Sequence, residues 1–230
     1  MKRIVVFTGA GISAESGIKT FRGGDGLWEN HRIEDVATPH AWIANRKLVL
    51  EFYNQRRKQL FEVEPNAAHK AIASLEKHFD VYVVTQNVDD LHERAGSSKV
   101  LHLHGELKKV RSTVDPSLIY TLDGWELKEG DKCEKGSQLR PHIVWFGEAV
   151  PAMEEAMMIT QSADIFIVIG TSLAVYPAAS LLHYAIKASE KFLVDPNAEL
   201  PYDIDDFRVI KNTAVAGVDE LVKKLIVDYV

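Results

Sequence analysis

The first residues able to do chemistry stand near the front of the chain. Gly9-Ala10-Gly11-Ile12-Ser13-Ala14 satisfies the pattern G-x-G-x-x-G/A directly after the apolar, β-branched run Arg3 to Thr8. Glycines at such a turn let the backbone approach a pyrophosphate, and a helix start behind it favours negative charge. A tight turn is the plainer reading of so short a match. A dinucleotide fingerprint also needs a second strand ending in Asp or Glu about 20 residues on, and that window reads FRGGDGLWENH, a loop. A simple dehydrogenase is therefore excluded. Asp195, after the strand KFLV, is placed to accept hydrogen bonds from a ribose diol, and Gly170-Thr171-Ser172 is a second small-residue loop suited to phosphate or ribose. Either alone reads as a capping residue; beside the first glycine turn they read as a site.

Histidines supply the next candidates. His104 titrates near neutrality, so it can take and return a proton, and Gly105 behind it leaves room for a ligand. Alone, a strand-end histidine reads as structural. Beside a glycine turn and the pair Asn87 and Asp89, it reads as catalytic. His92, His102 and His104 with Asp89 also form a possible metal cluster, since His102-x-His104 faces one side of a strand. That alternative requires tight stoichiometric metal and no dinucleotide.

These residues must be held by a scaffold. Buried strands are predicted at Arg3 to Thr8, Val81 to Thr85, Val100 to His104, Ile143 to Phe146, Asp164 to Ile169, Lys191 to Val194 and Phe207 to Ile210. Thr38-Pro39 marks the start of a helix running to about Phe61. Further helices are predicted after Pro65, at 151–161, from Pro177 to Ala188, and from Val218. Residues 106–140 are polar, rich in turn chemistry and without clear period, and look like an insertion. Alternating strands and helices imply an α/β fold with a Rossmann-like parallel sheet covered on both faces. Ligands of such sheets bind beyond the carboxyl ends of the strands, which is where the candidate residues lie.

Bulk properties narrow the class. With 230 residues the chain can bury a substantial core. A net charge of -6 argues against a nucleic-acid platform. No apolar stretch approaches the roughly 20 residues of a membrane span, and the start MKRIVVFTG is too short in apolar residues for a signal peptide. The single cysteine, Cys133, fits a reducing compartment, so a cytoplasmic location is expected. The oligomeric state is open; a monomer is compatible with everything above.

The strand ends carry a family resemblance. They read TQNVD at 85–89 with Leu91-His92, HLHG at 102–105, FGE at 146–148 and GTSLAVYP at 170–177, besides GAGISAESGIKTFRG at 9–23. This set, in this order, resembles the sirtuins of bacterial type, which are NAD-dependent protein lysine deacylases. The likeness covers nearly the whole chain. It implies a large NAD-binding domain at about 1–30, 66–105 and 143–230, and a small domain from helical and ribbon-like insertions at about 31–65 and 106–142.

The resemblance also implies chemistry. The acyl-lysine carbonyl oxygen attacks C1′ of the nicotinamide ribose and expels nicotinamide, with His104 as general base and Asn87 beside it. The acyl group ends on ribose, giving free lysine and 2′-O-acyl-ADP-ribose. Cofactor contacts are implied for Gly9, Ala10, Gly11, Ser13, Ala14, Glu15, Thr20, Phe21, Arg22, Trp28, Gln86, Asn87, Asp89, Gly170, Thr171, Ser172, Asp195 and Ala216. Substrate is expected along Val144, Phe146, Gly147, Glu148 and Val175, pairing as an added strand that tolerates varied peptide sequence. Acylated proteins or peptides are the expected partners, with neither nucleic acid nor membrane.

The chain departs from the family at one place and specialises at another. Many sirtuins hold zinc on two Cys-x-x-Cys pairs after the HG motif; here only Cys133 is present, and His142 cannot complete a four-ligand set. The ribbon is expected to have lost its metal. Tyr53 and Arg56, three apart on the predicted helix, share one face. They match the Tyr-x-x-Arg of sirtuins that remove acidic acyl groups, which implies succinyl-, malonyl- or glutaryl-lysine as substrates, and acetyl-lysine as well. Against this, Arg56 could simply belong to a solvated basic run, Arg56-Arg57-Lys58. Rival functions are an NAD glycohydrolase or ADP-ribosyltransferase, and a non-catalytic module binding NAD or ADP-ribose; only the deacylase yields 2′-O-acyl-ADP-ribose.

Overall fold

The computed structural model describes residues 1–19, 27, 28 and 30–230. Strands are β1 (Arg3–Thr8), β2 (Leu27–Trp28), β3 (His31–Arg32), β4 (Asp80–Thr85), β5 (Val100–His102), β6 (Gly105–Ser112), β7 (Ile119–Thr121), β8 (Leu139–Ile143), β9 (Ile165–Ile169), β10 (Glu190–Val194) and β11 (Arg208–Ile210). Helices are α1 (Ile33–Val36), α2 (Pro39–Ala44), α3 (Arg46–Leu60), α4 (Ala67–Ser74), α5 (Leu91–Ala95), α6 (Met153–Gln161) and α7 (Ala214–Tyr229).

The main sheet has six parallel strands in the order β11-β10-β9-β1-β4-β5. The expected α/β architecture is what forms. Alternation along β1 feeds both faces: Ile4 and Val6 join Ile72 of α4 and Leu221 of α7, whereas Val5 and Phe7 join Ala156 of α6 and Leu181. Burial of both faces explains the unbroken apolar runs in the sequence. The chain runs from β1 outward to β5, then returns to β9 on the other side of β1. A crevice therefore opens between the ends of β1 and β9, the switch point where such sheets bind ligands. Register sharpens this: Thr8 lies level with Thr85 and with Ile169, so the residues after β1, β4 and β9 emerge together.

A third core lies apart. Val49, Phe52 and Tyr53 of α3 pack with Leu107 and Val110 of β6, Ile143 of β8 and Trp145. Here β6 sits between β7 and β8 in a small antiparallel sheet. Residues 106–140, read from the sequence as an insertion without period, thus contain regular strands. Their pattern is hidden because only two of the four buried positions of β6, GELKKVRS, are large and apolar (Leu107 and Val110), and a register shift between Gly105 and Val110 breaks the alternation.

Other expectations shift for local reasons. The helix from Pro39 breaks at Asn45, which closes α2 and whose Oδ1 accepts from Leu48 N at 3.1 Å to cap α3. Thr38 caps α2 as expected, its Oγ1 accepting from Ala41 N at 3.0 Å, an interaction that contributes about 1 kcal/mol. The strand expected at 143–146 ends at Ile143, because Trp145 N turns to donate to the Glu148 carboxylate. Ala178–Tyr184 forms 3-10 turns in place of an α-helix, and α7 starts at Ala214, before Val218. Among the described residues no helix is long and apolar enough to cross a membrane.

Candidate active site

The glycine turn is a short 3-10 segment, Ala10–Ser16, locked to the loop after β9. Gly9 N donates to Ile169 O at 3.0 Å and Gly11 N to Gly170 O at 2.8 Å. A Cβ on Gly11 would lie 2.6 Å from the Gly170 Cα, and one on Gly170 would lie 2.4 Å from Ile12 N. These glycines are therefore demanded by two backbones touching each other, before any phosphate is considered. Both loops, Gly9 to Gly11 and Gly170 to Ser172, line one cleft of about 260 Å³.

The same cleft collects most of the candidates: Trp28, Tyr53, Arg56, Gln86, Asn87, Asp89 and His104 line it, and so do Val144, Phe146, Gly147, Glu148 and Val175. Ser13 lies just beneath, fully buried, accepting from Asn87 Nδ2 at 3.1 Å and donating to Asp89 Oδ2 at 3.0 Å. Gln86 Nε2 donates to Thr171 Oγ1 at 3.0 Å, tying the β4 loop to the β9 loop. Burial pushes the Asp89 carboxyl up to about 6, against the opposing pull of hydrogen bonds from Leu91 N and Ser13.

Two histidines grip consecutive carbonyls of the β4 loop. His104 Nδ1 donates to Gln86 O at 3.1 Å, which leaves Nε2 without a proton. Burial holds the ring below the ordinary imidazole range, only partly opposed by that carbonyl, so it is neutral at pH 7. His102 behaves differently. Its Nδ1 lies 2.9 Å from Asn87 O and its Nε2 2.7 Å from Glu93 Oε1. Burial pulls it down, but the Glu93 carboxylate outweighs this and raises it, and acceptors at both nitrogens favour the protonated ring. His92 is buried, with Nε2 3.0 Å from Thr8 Oγ1. The suggested cluster of His92, His102, His104 and Asp89 thus dissolves into separate hydrogen-bonding duties.

Gly105 needs correction. A Cβ there would stand 2.0 Å from His142 O, so the glycine admits the neighbouring strand and not a ligand. Glu148 also does more than line a peptide groove. Its carboxylate accepts from Arg140 Nη1 at 2.7 Å, from Arg111 Nη2 at 3.2 Å and from Trp145 N at 2.8 Å. Burial alone would raise this carboxyl; the Arg140 hydrogen bond and its companions hold it below the usual range.

Also lining the cleft, Tyr53 is fully buried and its Oη accepts from Trp145 Nε1 at 3.0 Å. Arg56 is half-buried on the same wall, its guanidinium 5.0 Å from the Phe52 ring centroid. The notion of a solvated basic run fails at Arg57. That side chain is fully buried and donates to Leu107 O at 2.6 Å, Asn54 Oδ1 at 2.7 Å and Trp125 O at 2.5 Å. Burial lowers its guanidinium to about 10.

Several expected contacts do not line the cleft. Glu15 is exposed and accepts from Thr213 Oγ1 at 3.1 Å and Val215 N at 2.8 Å, capping α7 next to exposed Ala216. Ala14 is exposed beside it. Asp195 is 1% exposed and its Oδ1 accepts from Asn197 N at 2.8 Å, the turn-capping role weighed from the sequence. Thr20, Phe21 and Arg22 lie outside the described residues. Sequence reasoning missed Trp145 and Arg140, whose signal lay only in their nearness to the FGE motif.

At the tip of the small sheet, Ser112, Cys133 and Ser137 form a hydrogen-bonded knot, with Cys133 Sγ 3.3 and 3.2 Å from the serine hydroxyls. Among the described residues no group of three or more His, Cys, Asp or Glu is gathered as a metal site. One thiol and two hydroxyls do not fit the four-ligand set of structural zinc.

The sequence model of the Sir2 family matches residues 9–177, nearly three quarters of the chain and a span that includes every residue named above as lining the cleft. The chain belongs to the Sir2 family. An NAD-dependent protein deacylase of Helicobacter pylori (strain ATCC 700392 / 26695) is 57% identical over 231 residues, with 98% of each chain covered. The solved structure of a Sir2 homologue with NAD superposes with a TM-score of 0.89 at 41% identity, covering 100% of this chain and 91% of that one. A mutant Sir2 homologue with 2′-O-acetyl-ADP-ribose superposes with a TM-score of 0.88 at 40% identity, covering 99% and 93%. Membership in Sir2 explains why two glycine loops, an Asn/Asp pair and a neutral histidine meet at one switch point.

Proposed function

We propose that this Sir2 protein removes acyl groups from protein lysine side chains with NAD as co-substrate, releasing nicotinamide and 2′-O-acyl-ADP-ribose. The observation that carries the reading is His104. Its Nδ1 proton is committed to the Gln86 carbonyl, the residue lines the cleft, and both glycine loops border the same space. NAD, when bound, supplies an electrophilic ribose carbon and a good leaving group. The residues do the rest. Gly9 to Gly11 and Gly170 to Ser172 would hold the phosphates and ribose, with Gln86, Asn87 and Asp89 around the nicotinamide half. His104 Nε2 would take a proton from the ribose hydroxyls and return it to the departing lysine nitrogen. The acylated chain would lie along Val144, Phe146 to Glu148 and Val175.

The further reading is that acidic acyl groups, succinyl, malonyl or glutaryl, are accepted alongside acetyl. Tyr53 and Arg56 support it by standing together at the acyl end. The small domain at 31–65 and 106–142 would then be the part that reads the acyl group, since the third core holds both side chains' helix. The single buried cysteine suits a reducing compartment such as the cytoplasm.

Mass spectrometry of the products of NAD and a succinyl-lysine peptide tests the main reading. The expected species are free lysine peptide and 2′-O-succinyl-ADP-ribose. ADP-ribose without deacylated peptide would mark a glycohydrolase instead, and NAD binding without nicotinamide release a sensor.

Zinc has no place in this reading. Purified protein is expected to carry well under one equivalent of zinc, with melting temperature and activity unchanged by strong chelators. Stoichiometric zinc by elemental analysis would contradict that, and would point to ligands within 106–142.

A further inference from the structure

We propose that Trp145 is a specificity-determining residue of the acyl pocket, acting by fixing the orientation of the Tyr53 hydroxyl. The inference rests on the reading of Tyr53 and Arg56 as the acidic-acyl end of the cleft.

An indole N–H can only donate a hydrogen bond. In the contact between Trp145 Nε1 and Tyr53 Oη, at 3.0 Å, the tyrosine oxygen must therefore be the acceptor. Its own proton has to point elsewhere. Among the described residues nothing accepts that proton, although Tyr53 is fully buried. A buried donor left without an acceptor is costly, and native structures seldom tolerate one without a ligand or water. Tyr53 lines the cleft beside Arg56, so the missing acceptor is supplied by what enters there. A carboxylate at the acyl terminus supplies it; an acetyl methyl does not.

The indole is itself clamped, which is what lets it orient its neighbour. The Arg140 guanidinium lies 3.3 Å from the Trp145 ring centroid, and Trp42 packs at 5.8 Å. Arg140 is anchored to Glu148 at 2.7 Å and to Ile143 O at 3.0 Å. Glu148 in turn accepts from the Trp145 backbone N–H at 2.8 Å. Ring and backbone are held by one carboxylate, so the N–H direction is not free to wander. Burial raises the Tyr53 hydroxyl above its ordinary range, keeping it a neutral donor over the physiological interval.

The test compares kcat/KM for matched succinyl- and acetyl-lysine peptides in wild type, Trp145→Phe, Tyr53→Phe, the double variant, and Arg56→Met as reference. Trp145→Phe keeps an aromatic ring and removes the N–H. It should lower the succinyl-to-acetyl ratio about five- to tenfold, the loss expected for one oriented hydrogen bond to a charged group. In the Tyr53→Phe background the same change should move that ratio by less than about twofold, because nothing remains to orient. If Trp145→Phe slows both peptides in proportion, or acts additively with Tyr53→Phe, the proposal is overturned while a fall in the ratio for Arg56→Met keeps the acidic-acyl reading. If Arg56→Met also leaves the ratio unchanged, the acidic-acyl reading itself has failed. Should Trp145→Phe not fold, benzothienylalanine at position 145 keeps the bicyclic shape without the N–H and answers the same question.

Discussion

His104→Ala should lower deacylation of an acyl-lysine peptide by about 10²–10⁴, the usual cost of removing a general base, while NAD and peptide still bind. The geometry explains the size of the effect. Among the described residues only His104 combines a cleft position with a ring nitrogen that carries no proton, because its Nδ1 is held by Gln86 O. His102, two residues away, cannot substitute: both its nitrogens are engaged by acceptors, and Glu93 favours its protonated form. His104→Tyr should be as inactive, since a phenol at neutral pH does not accept a proton readily. The pH profile carries a second expectation. A base works in its neutral form, and burial depresses His104, so the acid limb of kcat/KM should fall below the ordinary imidazole value of about 6.5. Near wild-type kcat in His104→Ala would remove the histidine from the mechanism.

Much of this site could be read from residue types alone, for a physical reason. Parallel strands buried on both faces leave continuous apolar runs, as in Ile4 to Phe7, and their ends expose whatever polar residues come next. Chemistry at strand ends is therefore adjacent to a strong sequence signal. What occupies the space beside a residue leaves no such signal. Gly105 reads as room for a ligand, yet the room is filled by His142 O. Glu148 reads as groove lining, yet donors from three residues, Arg111, Arg140 and Trp145, converge on it. Arg57 reads as one cation of an exposed run, yet its donors meet carbonyls of Leu107 and Trp125, far away in the chain. The break at Asn45 was equally concealed, because asparagine is tolerated within helices and shows its capping role only when the chain turns. For Gly105, Arg57 and the Arg111 contact of Glu148 the deciding partner is distant in sequence; for Asn45 it is only three residues on, and the turn of the chain alone reveals it.

Arg56→Met should raise KM for succinyl- and malonyl-lysine peptides far more than for acetyl-lysine, with a loss of about ten- to a hundredfold in kcat/KM for the acidic substrates. The substitution keeps bulk and deletes the donors. A carboxylate carried to the end of the cleft gives up water, which is costly unless a charge and hydrogen bonds meet it there. Arg56 is placed to meet it: half-buried, stacked over Phe52, on the wall that also presents Tyr53. Its neighbours in the basic run cannot take over. Arg57 points into the protein and donates to carbonyls there, and Lys58 is exposed. Arg56→Lys should fall between wild type and Arg56→Met, since a hydrated ammonium keeps the charge but loses the planar fork that matches a carboxylate. Tyr53→Phe should act in the same direction more weakly, because it deletes one neutral donor and leaves the ring. If Arg56→Met and Tyr53→Phe instead slow acetyl and succinyl substrates equally, the pair serves the helix and not the acyl group.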